Sequence, residues 1–344
     1  MSEIVRILIV DDSAYVRKVI RQMLSRSPFL EVVGTARDGR EALEAAAELQ
    51  PDVITCDLIM PELDGVGFIT AQMARKPVPI VVVSVASESG ELVLAALDAG
   101  AVDFVQKPTA LATDRVLEIA DELIEKVKAA AKSRPAPGRD AAAQPAAVAP
   151  AKSSDSVDIV VIGISTGGPQ ALKLMIPRLP ADLAVPVAIV LHMPVGYTEL
   201  YARKLNEQSA LTVLESRGGE AVTRGHVYLA PAGRHLTLRR NANGEVMTHL
   251  DVRPLDSLYR PSVDALFHSA ADAYGSRVLG VVMTGMGSDG REGAAWIKAK
   301  GGSVLTESEG SCVVYGMPRS IVEAGLSDGE FPLDGMADAV MARV

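Results

Sequence analysis

Aromatic residues and cysteines are scarce in this chain of 344 residues. Phe, Trp and Tyr together make up 4% of the residues, although hydrophobic residues make up 48%. Any buried core must therefore consist of aliphatic side chains. The only cysteines, Cys56 and Cys312, are far apart in the sequence, and we expect both thiols to stay reduced in a cytoplasmic environment.

Excess positive charge and long apolar runs are also absent. The net charge is −9 at pH 7, which argues against a nucleic-acid partner because such a surface needs clustered Lys and Arg. No apolar run approaches the roughly 20 residues that span a membrane. The first residues include Glu3 and lead directly into a predicted strand, unlike a signal peptide. We therefore expect a cytoplasmic protein without a transmembrane segment.

A segment rich in Ala and Pro divides the chain. Residues 128–156 read KAAAKSRPAPGRDAAAQPAAVAPAKSSDS and have too few large apolar side chains to form a core. We predict a flexible linker here, between one domain at residues 1–127 and another at residues 157–344. The alternative is that the preceding helix continues, but the prolines that follow Ser133 disfavour a longer helix.

Both domains are predicted to be α/β. In residues 1–127 five apolar runs alternate with amphipathic segments, which predicts a flavodoxin-like (βα)5 domain with a doubly wound parallel sheet. The predicted strands are 5–10, 32–35, 53–55, 80–83 and 104–105, and the predicted helices lie near 14–25, 39–49, 65–74, 90–98 and 112–130.

The second domain is predicted to contain a doubly wound, mostly parallel sheet. Apolar runs at residues 159–162, 188–191 and 278–283 predict buried strands. Residues 211–250 have a different character, with short strand-like runs and the turn sequence Asn243-Gly244. We expect this segment to form a β-hairpin excursion from the sheet.

Polar side chains follow four of the predicted strands in the first domain. Asp11 and Asp12 follow the first strand, Asp57 the third, Ser84 the fourth and Lys107 the fifth. Because the carboxyl ends of parallel strands meet at one edge, we expect one cleft that holds three carboxylates, a hydroxyl and an ammonium. Such carboxylates select Mg²⁺, and one of them could accept a phosphoryl group. For any single aspartate, a strand-end cap is the alternative.

This pattern resembles the receiver domain of two-component systems over residues 3–126. The resemblance implies that Asp57 accepts phosphate from a histidine kinase, and that Ser84 and Lys107 respond to the phosphoryl group. It also implies a Mg²⁺ site and a switch aromatic, Phe104, for which a plain core position is the alternative. The implied metal ligands are Asp11, Asp12, Asp57 and the backbone carbonyl of Ile59. The matching residues are Asp11-Asp12, Asp57, Met60-Pro61, Gly65, Ser84, Gly100-Ala101, Phe104 and Lys107-Pro108.

A serine lies in a glycine-rich turn after the first strand of the second domain. Gly163-x-Ser165-x-Gly167 matches the G-x-S-x-G nucleophile elbow, and Pro169 is typical of the first turn of a following helix. The motif is weak by itself, and a glycine-rich phosphate loop is the alternative. That alternative lacks the Gly-Lys-Ser/Thr sequence of a P-loop.

His192 and Asp289 are the candidate partners of Ser165. Of the five histidines, His192 has the best placement because it directly follows a predicted strand. Asp289 lies on a glycine-rich turn after another strand, where it could instead cap the next helix. No histidine follows Asp289, so the order Ser-His-Asp differs from the Ser-acid-His order of the α/β-hydrolases. We expect the backbone N–H groups of Thr166 and Met286 to form an oxyanion hole, and we expect no cofactor for the hydrolase.

Residues 157–344 resemble the catalytic domain of the chemotaxis response-regulator methylesterases, the CheB family of protein-glutamate methylesterases/protein-glutamine glutaminases. The resemblance implies that methyl esters on chemoreceptor glutamates are hydrolysed to release methanol, and that receptor glutamines are deamidated. It also implies recruitment to membrane receptor arrays. A hydrolase acting outside chemotaxis and a partner-binding response regulator remain alternatives. The matching stretches are residues 162–169, 191–194, 230–233, 260–264 and 284–290.

Overall fold

The chain forms two compact units, Met1–Asp140 and Ala141–Val344. The computed structural model describes residues 4–84, 90–107, 113–133, 156–254 and 257–344, and it describes residues 113–118 by their backbone only. Most of the predicted linker, residues 134–155, lies outside the described residues.

The first unit contains a five-stranded parallel sheet in the order β2-β1-β3-β4-β5. This is the (βα)5 arrangement that the alternation of apolar and amphipathic segments predicts. The strands are β1 (Val5–Val10), β2 (Leu30–Ala36), β3 (Val53–Cys56), β4 (Ile80–Ser84) and β5 (Asp103–Gln106). The helices are α1 (Ala14–Leu24), α2 (Gly39–Leu49), α3 (Gly65–Arg75), α4 (Gly90–Asp98) and α5 (Thr113–Lys132).

Short polar side chains begin three of these helices. Ser13 Oγ accepts a hydrogen bond from Val16 N at the start of α1, and Asp38 and Asp64 cap α2 and α3 in the same way. Each cap satisfies N–H groups that the first helical turn leaves without partners.

Helix α5 is longer than the sequence pattern predicts. It continues to Lys132, so residues 128–132, predicted to begin the linker, are helical. Ala and Lys favour helices, and the first proline of this segment is Pro135, so the helix extends into the predicted linker and ends shortly before that proline.

The second unit contains a seven-stranded sheet in the order β14-β13-β12-β6-β7-β9-β8, and every neighbouring pair is parallel. The chain leaves β6 in one direction through β7 and later returns on its other side as β12. A switch point of this kind opens a crevice at the carboxyl ends of the strands. The strands of the sheet are β6 (Ile159–Ile164), β7 (Val187–Leu191), β8 (Thr212–Glu215), β9 (His226–Leu229), β12 (Val278–Val282), β13 (Ser303–Glu307) and β14 (Glu330–Phe331).

The segment predicted as a hairpin excursion is only partly one. A two-stranded antiparallel ribbon forms from β10 (His235–Arg240) and β11 (Val246–Asp251). By contrast, β8 and β9 pair in parallel and extend the main sheet. The prediction failed for these two strands because short apolar runs look the same whichever neighbour they pair with.

Helices cover the seven-stranded sheet. Helix α8 contacts β6, β10, β12 and α9, and therefore joins the main sheet to the ribbon. The helices are α6 (Gly168–Met175), α7 (Thr198–Gln208), α8 (Val263–Tyr274), α9 (Arg291–Ala299), α10 (Met317–Glu323) and α11 (Leu333–Met341), with a 3₁₀ helix at Ile176–Arg178.

Phe267 on α8 is one of the few aromatic side chains in a largely aliphatic core, and it is fully buried. We expect Phe267→Ala to lower the free energy of unfolding by about 3–5 kcal/mol, because the smaller side chain leaves a cavity. Urea unfolding of this unit can be followed by the fluorescence of Trp296, the single tryptophan. Leu174→Ala on α6, where Leu174 is 53% exposed, is the control and should change stability by about 0.5 kcal/mol or less. Equal losses in the two variants would contradict this account of the core.

Candidate active site and acidic cluster

Three carboxylates meet at the edge of the first sheet. Asp11 and Asp12 follow β1, and Asp57 follows β3. One oxygen from each lies within 4.8 Å of the others. Asp11 and Asp57 are buried, whereas Asp12 is exposed. A set of carboxylate oxygens open to solvent on one side is the donor set that Mg²⁺ prefers, so the cluster predicted from the sequence is present and its chemistry suits that ion.

Lys107 offsets part of the negative charge of this acidic cluster. Its Nζ lies 2.6 Å from Asp11 Oδ2 and 2.7 Å from Asp57 Oδ2. Burial disfavours the charged ammonium, but the two carboxylates outweigh burial and raise the pKa of Lys107. For Asp11 burial acts in the other direction and raises the pKa of the carboxyl group, although the nearby ammonium of Lys107 partly counteracts this shift. Asp57 Oδ1 accepts a hydrogen bond of 2.8 Å from Leu58 N, which fixes the orientation of the carboxylate.

The other predicted receiver residues lie around this cluster. Ser84 ends β4 and is buried, and its carbonyl accepts a hydrogen bond from Lys107 N. Ile59 is half-exposed next to the Asp57 loop. Phe104 is buried in β5, with Lys126 Nζ 5.6 Å from the centre of its ring. Contact with a phosphoryl group, metal ligation by Ile59 and the switch role of Phe104 stay predictions.

Ser165 lies on a tight turn between β6 and α6 at the edge of the second sheet. Its backbone N–H donates to Thr284 O, and its carbonyl accepts from Gly168 N at 2.6 Å. Gly167 has φ 78°, a left-handed conformation that favours glycine. The turn leaves Ser165 partly exposed between buried neighbours, as an attacking serine requires.

The turn that follows β12 packs directly against Ser165. A Cβ atom on Gly285 would lie 2.8 Å from Ser165 Cβ and would also collide with Met317 Sδ. Thr284 Oγ1 donates to Thr166 O at 2.9 Å, which joins the two turns. Thr166 is buried and Met286 is partly exposed, and the N–H of Met286 donates to none of the described residues. The two proposed oxyanion-hole donors therefore lie on turns that touch each other, but their role stays a prediction.

His192 follows β7, and its backbone N–H donates to Ile164 O at the end of β6. Its Nε2 lies 2.9 Å from Asp289 Oδ2. Because a carboxylate only accepts, Nε2 carries the proton in this pair. Nδ1 is buried and has no hydrogen-bond partner among the described residues, so it is the nitrogen that can take a proton. The nitrogen that binds the acid is therefore Nε2, whereas in the usual Ser-His-Asp triad it is Nδ1.

Asp289 receives four hydrogen bonds. Oδ2 accepts from His192 Nε2 and from Val263 N at 2.8 Å, and Oδ1 accepts from Ser262 Oγ and from Asp264 N, each at 3.0 Å. Burial alone would raise the pKa of Asp289, but His192 and the N–H groups at the start of α8 lower it below its usual value. The carboxylate therefore stays charged and is held in one orientation.

The alternative that Asp289 caps the helix after it is wrong. The N-cap of α9 is Gly290, and Asp289 instead binds the start of α8, which precedes it in the sequence. Ser262, the N-cap of α8, thus belongs to the site. Residues 260–264 match the resembling family in sequence, but no rule of spacing links a helix start to an acid this far along the chain.

Tyr259 also belongs to the site and was not predicted. Its ring stacks on His192, with ring centres 4.5 Å apart and planes 10° from parallel. Its hydroxyl lies 2.9 Å from the position of a Cβ atom on Gly287, so Tyr259 packs between the histidine and the turn after β12. Asp289 orients the ring of His192 from its edge, and Tyr259 supports the ring on its face.

His235 is buried, unlike most residues of the antiparallel ribbon, and its role is structural. Its Nδ1 accepts a hydrogen bond of 3.2 Å from Ser262 N, and burial is the main reason that its pKa is lowered. The neutral ring therefore supports the N-cap of α8. His226, also placed in the hairpin by the sequence, begins β9 of the main sheet.

Comparisons with known proteins agree with both sites. A family model described as CheB methylesterase matches residues 160–340, and one described as response regulator receiver domain matches residues 7–119. A protein-glutamate methylesterase/protein-glutamine glutaminase 5 of Myxococcus xanthus is 53% identical over 96% of this chain and 96% of its own length. A Thermotoga maritima protein with the same activities in its name is 41% identical over 96% of this chain and 95% of its own.

A solved structure resembles the second unit. The crystal structure of the Thermotoga maritima CheB methylesterase catalytic domain is 42% identical, with a TM-score of 0.53, and the match covers 55% of this chain and 100% of that one. A receiver-type unit joined to a hydrolase unit defines a response regulator with an enzymatic output domain. The chain belongs to the CheB methylesterase family.

Because Gly285 packs closely against the serine turn, a single methyl group at position 285 should affect the rate of ester hydrolysis. Gly285→Ala should displace Ser165 and lower ester hydrolysis about 100-fold, the cost of a misplacement near 1 Å. Gly310→Ala is the matched control, because a Cβ atom there meets nothing within 4 Å. Initial rates of methanol release measure both variants. Full activity in Gly285→Ala would show that the two turns need not touch.

Proposed function

We propose that the second unit hydrolyses methyl esters on glutamate side chains of chemoreceptors and that phosphorylation of the first unit regulates this reaction. The observation that carries the proposal is the hydrogen bond between His192 and a fully hydrogen-bonded Asp289, beside a serine turn at the same sheet edge. The names of the relatives, protein-glutamate methylesterase/protein-glutamine glutaminase, support this substrate class.

Ser165 acts as the nucleophile in this mechanism. His192 Nδ1 takes the hydroxyl proton while Oγ attacks the ester carbonyl, and the same nitrogen then returns the proton to the departing methoxide, which leaves as methanol. An acyl-enzyme forms between Ser165 and the glutamyl carbonyl. Water, activated by the same histidine, hydrolyses it to glutamate and free serine. The charge of Asp289 stabilises the imidazolium that exists during each attack.

Backbone N–H groups stabilise the negative oxygen of each tetrahedral intermediate. We assign this role to Thr166 and Met286, which lie on the two touching turns around Ser165. Losing one such donor would cost about 3 kcal/mol of barrier. A glutamine side chain presents the same carbonyl, and attack by Ser165 would release ammonia and leave the same acyl-enzyme, which supports deamidation as a second activity.

The first unit supplies regulation. Asp57 accepts a phosphoryl group from a histidine kinase. Asp11, Asp12, Asp57 and the Ile59 carbonyl would hold the Mg²⁺ ion. Bound Mg²⁺ would supply positive charge that offsets the carboxylates and the phosphate. Lys107, now paired with Asp11 and Asp57, and Ser84 would bind the phosphoryl oxygens, and Phe104 would respond as the switch aromatic.

The proposed substrate is a membrane receptor. In the described part of this chain, no helix is long and apolar enough to cross a membrane. We propose that the protein is cytoplasmic and is recruited to membrane receptor arrays. The segment at residues 128–156, whose first part is helical and whose composition is rich in Ala and Pro, would connect the two units. The first unit would inhibit the second in the unphosphorylated state, and phosphorylation would relieve this inhibition.

The nucleophile is tested by Ser165→Ala. We expect methanol release from methylated receptor membranes to fall by at least about 10⁴-fold, because the loss of a serine nucleophile disables the whole triad. Ser209→Ala, on the turn after α7, should keep wild-type activity. Substantial release by the Ser165 variant would contradict the serine mechanism.

Regulation is tested by Asp57→Ala. Adding acetyl phosphate and Mg²⁺ should stimulate methanol release by the wild-type protein, whereas the ratio of stimulated to unstimulated rate should be about 1 in the variant because it has no phosphate acceptor. Asp121→Ala, at an exposed position on α5, should respond like the wild type. Stimulation that survives in Asp57→Ala would show that Asp57 is not the acceptor.

A further inference from the structure

Two aspartates join helices α8 and α9 at their N-termini. Asp289 immediately precedes the N-cap of α9 but accepts hydrogen bonds from the start of α8. Asp264, in the first turn of α8, accepts hydrogen bonds from Gly290 N at 3.0 Å and from Gly293 N at 2.7 Å, at the start of α9. The start of each helix thus carries the aspartate that accepts hydrogen bonds from backbone N–H groups at the start of the other helix. We call this arrangement the crossed caps.

Glycines allow the crossed caps to form. A Cβ atom on Gly290 would lie 2.8 Å from a methyl group of Val263, and one on Gly293 would lie 3.1 Å from Asp264 Cα. The backbones of the two helix starts therefore approach more closely than most side chains would permit. Because Gly290 follows Asp289 directly, the bond from Gly290 N to Asp264 limits where the carboxylate of Asp289 can lie.

Electrostatics distinguish the two acids. Burial raises the pKa of Asp264 to about 6, the bond from Gly293 opposes this, and the nearby carboxylates of Asp289 and Glu292 add to it. The pKa of Asp289 is lowered. Both helix N-termini favour negative charge, so at neutral pH the crossed caps hold two carboxylates side by side, one of which also binds His192.

We propose that Asp264 is a positioning residue for the triad: by binding Gly290 and Gly293 it holds the turn that carries Asp289, and through it the ring of His192, in the orientation that the attack on the ester requires. This inference rests on the proposed function. Asp264 has no hydrogen bond to Ser165 or His192 among the described residues, so it acts on the reaction through Asp289 and not by contact with the ester.

A positioning role makes a specific kinetic prediction. Orientation of Asp289 matters when His192 becomes charged, and this happens in the transition state but not in the bound ester. Removing such an interaction lowers kcat and kcat/KM equally and leaves KM unchanged. An amide oxygen in place of the carboxylate should retain most of the wild-type kcat, because its hydrogen-bond partners are two uncharged N–H groups.

Full-length variants at position 264 test the proposal, with methanol release from methylated receptor membranes as the assay. Asp264→Ala should lower kcat about 100-fold with KM unchanged, and Asp264→Asn should restore most of kcat. Asp272→Ala is the matched control, because Asp272 also joins α8 to α9, through Trp296 Nε1 at 3.0 Å and Lys300 at 3.2 Å. The control should keep the wild-type kcat.

Three results would overturn the proposal: a wild-type kcat in Asp264→Ala, an equal loss in Asp272→Ala, or a loss that appears only in KM. If Asp264→Ala does not fold, as judged by circular dichroism, Asp264→Glu replaces it. The longer side chain keeps the charge but moves the acceptor oxygens, so a wild-type kcat in this variant would also overturn the proposal. Ser165→Ala, assayed in parallel, separates the two hypotheses, since activity in that variant rejects the proposed function itself.

Discussion

The hydrogen bonds of the Asp289 carboxylate determine the geometry of the catalytic unit around them. Both oxygens have two donors each, which is all that an ionised carboxylate can readily accept. Two of these donors are backbone N–H groups at the start of α8, so the helix fixes the acid and the acid fixes the tautomer of His192. With Nε2 protonated toward Asp289, Nδ1 is the nitrogen able to accept a proton, and in the proposed mechanism that proton comes from Ser165. The role of each ring nitrogen therefore follows from where a helix begins.

Close backbone contact is the second constraint, and it explains the glycine-rich turns. The turns after β6 and β12 must touch if Ser165 is to reach the carbonyl carbon of a substrate while the proposed donor Met286 faces its oxygen. A side chain on Gly285 would fill that space. The same requirement recurs at Gly290 and Gly293, where two helix starts meet. In each place the polar groups of the backbone bind one another or a carboxylate, so the turns are held by hydrogen bonds as well as by packing.

The sequence predicted those features that depend on local pattern. Alternating apolar and amphipathic segments predicted the (βα)5 unit, and the rule that chemistry collects at strand ends located Asp57, Ser165, His192 and Asp289. The pattern did not predict that β8 and β9 join the main sheet, because pairing partners are chosen by tertiary packing. Ser262, Asp264 and Tyr259 were also missed as site residues. Their contribution comes from a helix start and a ring stack that bring together parts of the chain distant in sequence, and no spacing rule records such contacts.

The two sites solve the problem of buried negative charge in opposite ways. In the acidic cluster the counter-charge is Lys107, which pairs with Asp11 and Asp57. A lysine side chain has several rotatable bonds, so it can adopt another position when the local charge changes. At Asp289 the compensation comes from His192 and from backbone N–H groups at the start of α8, and those N–H groups are held in place by the helix itself. A signalling site must change its electrostatics with each phosphorylation, whereas a catalytic acid must keep one charge and one orientation through every turnover. These two requirements explain why a lysine side chain supplies the counter-charge in the acidic cluster, whereas the start of a helix does so at Asp289.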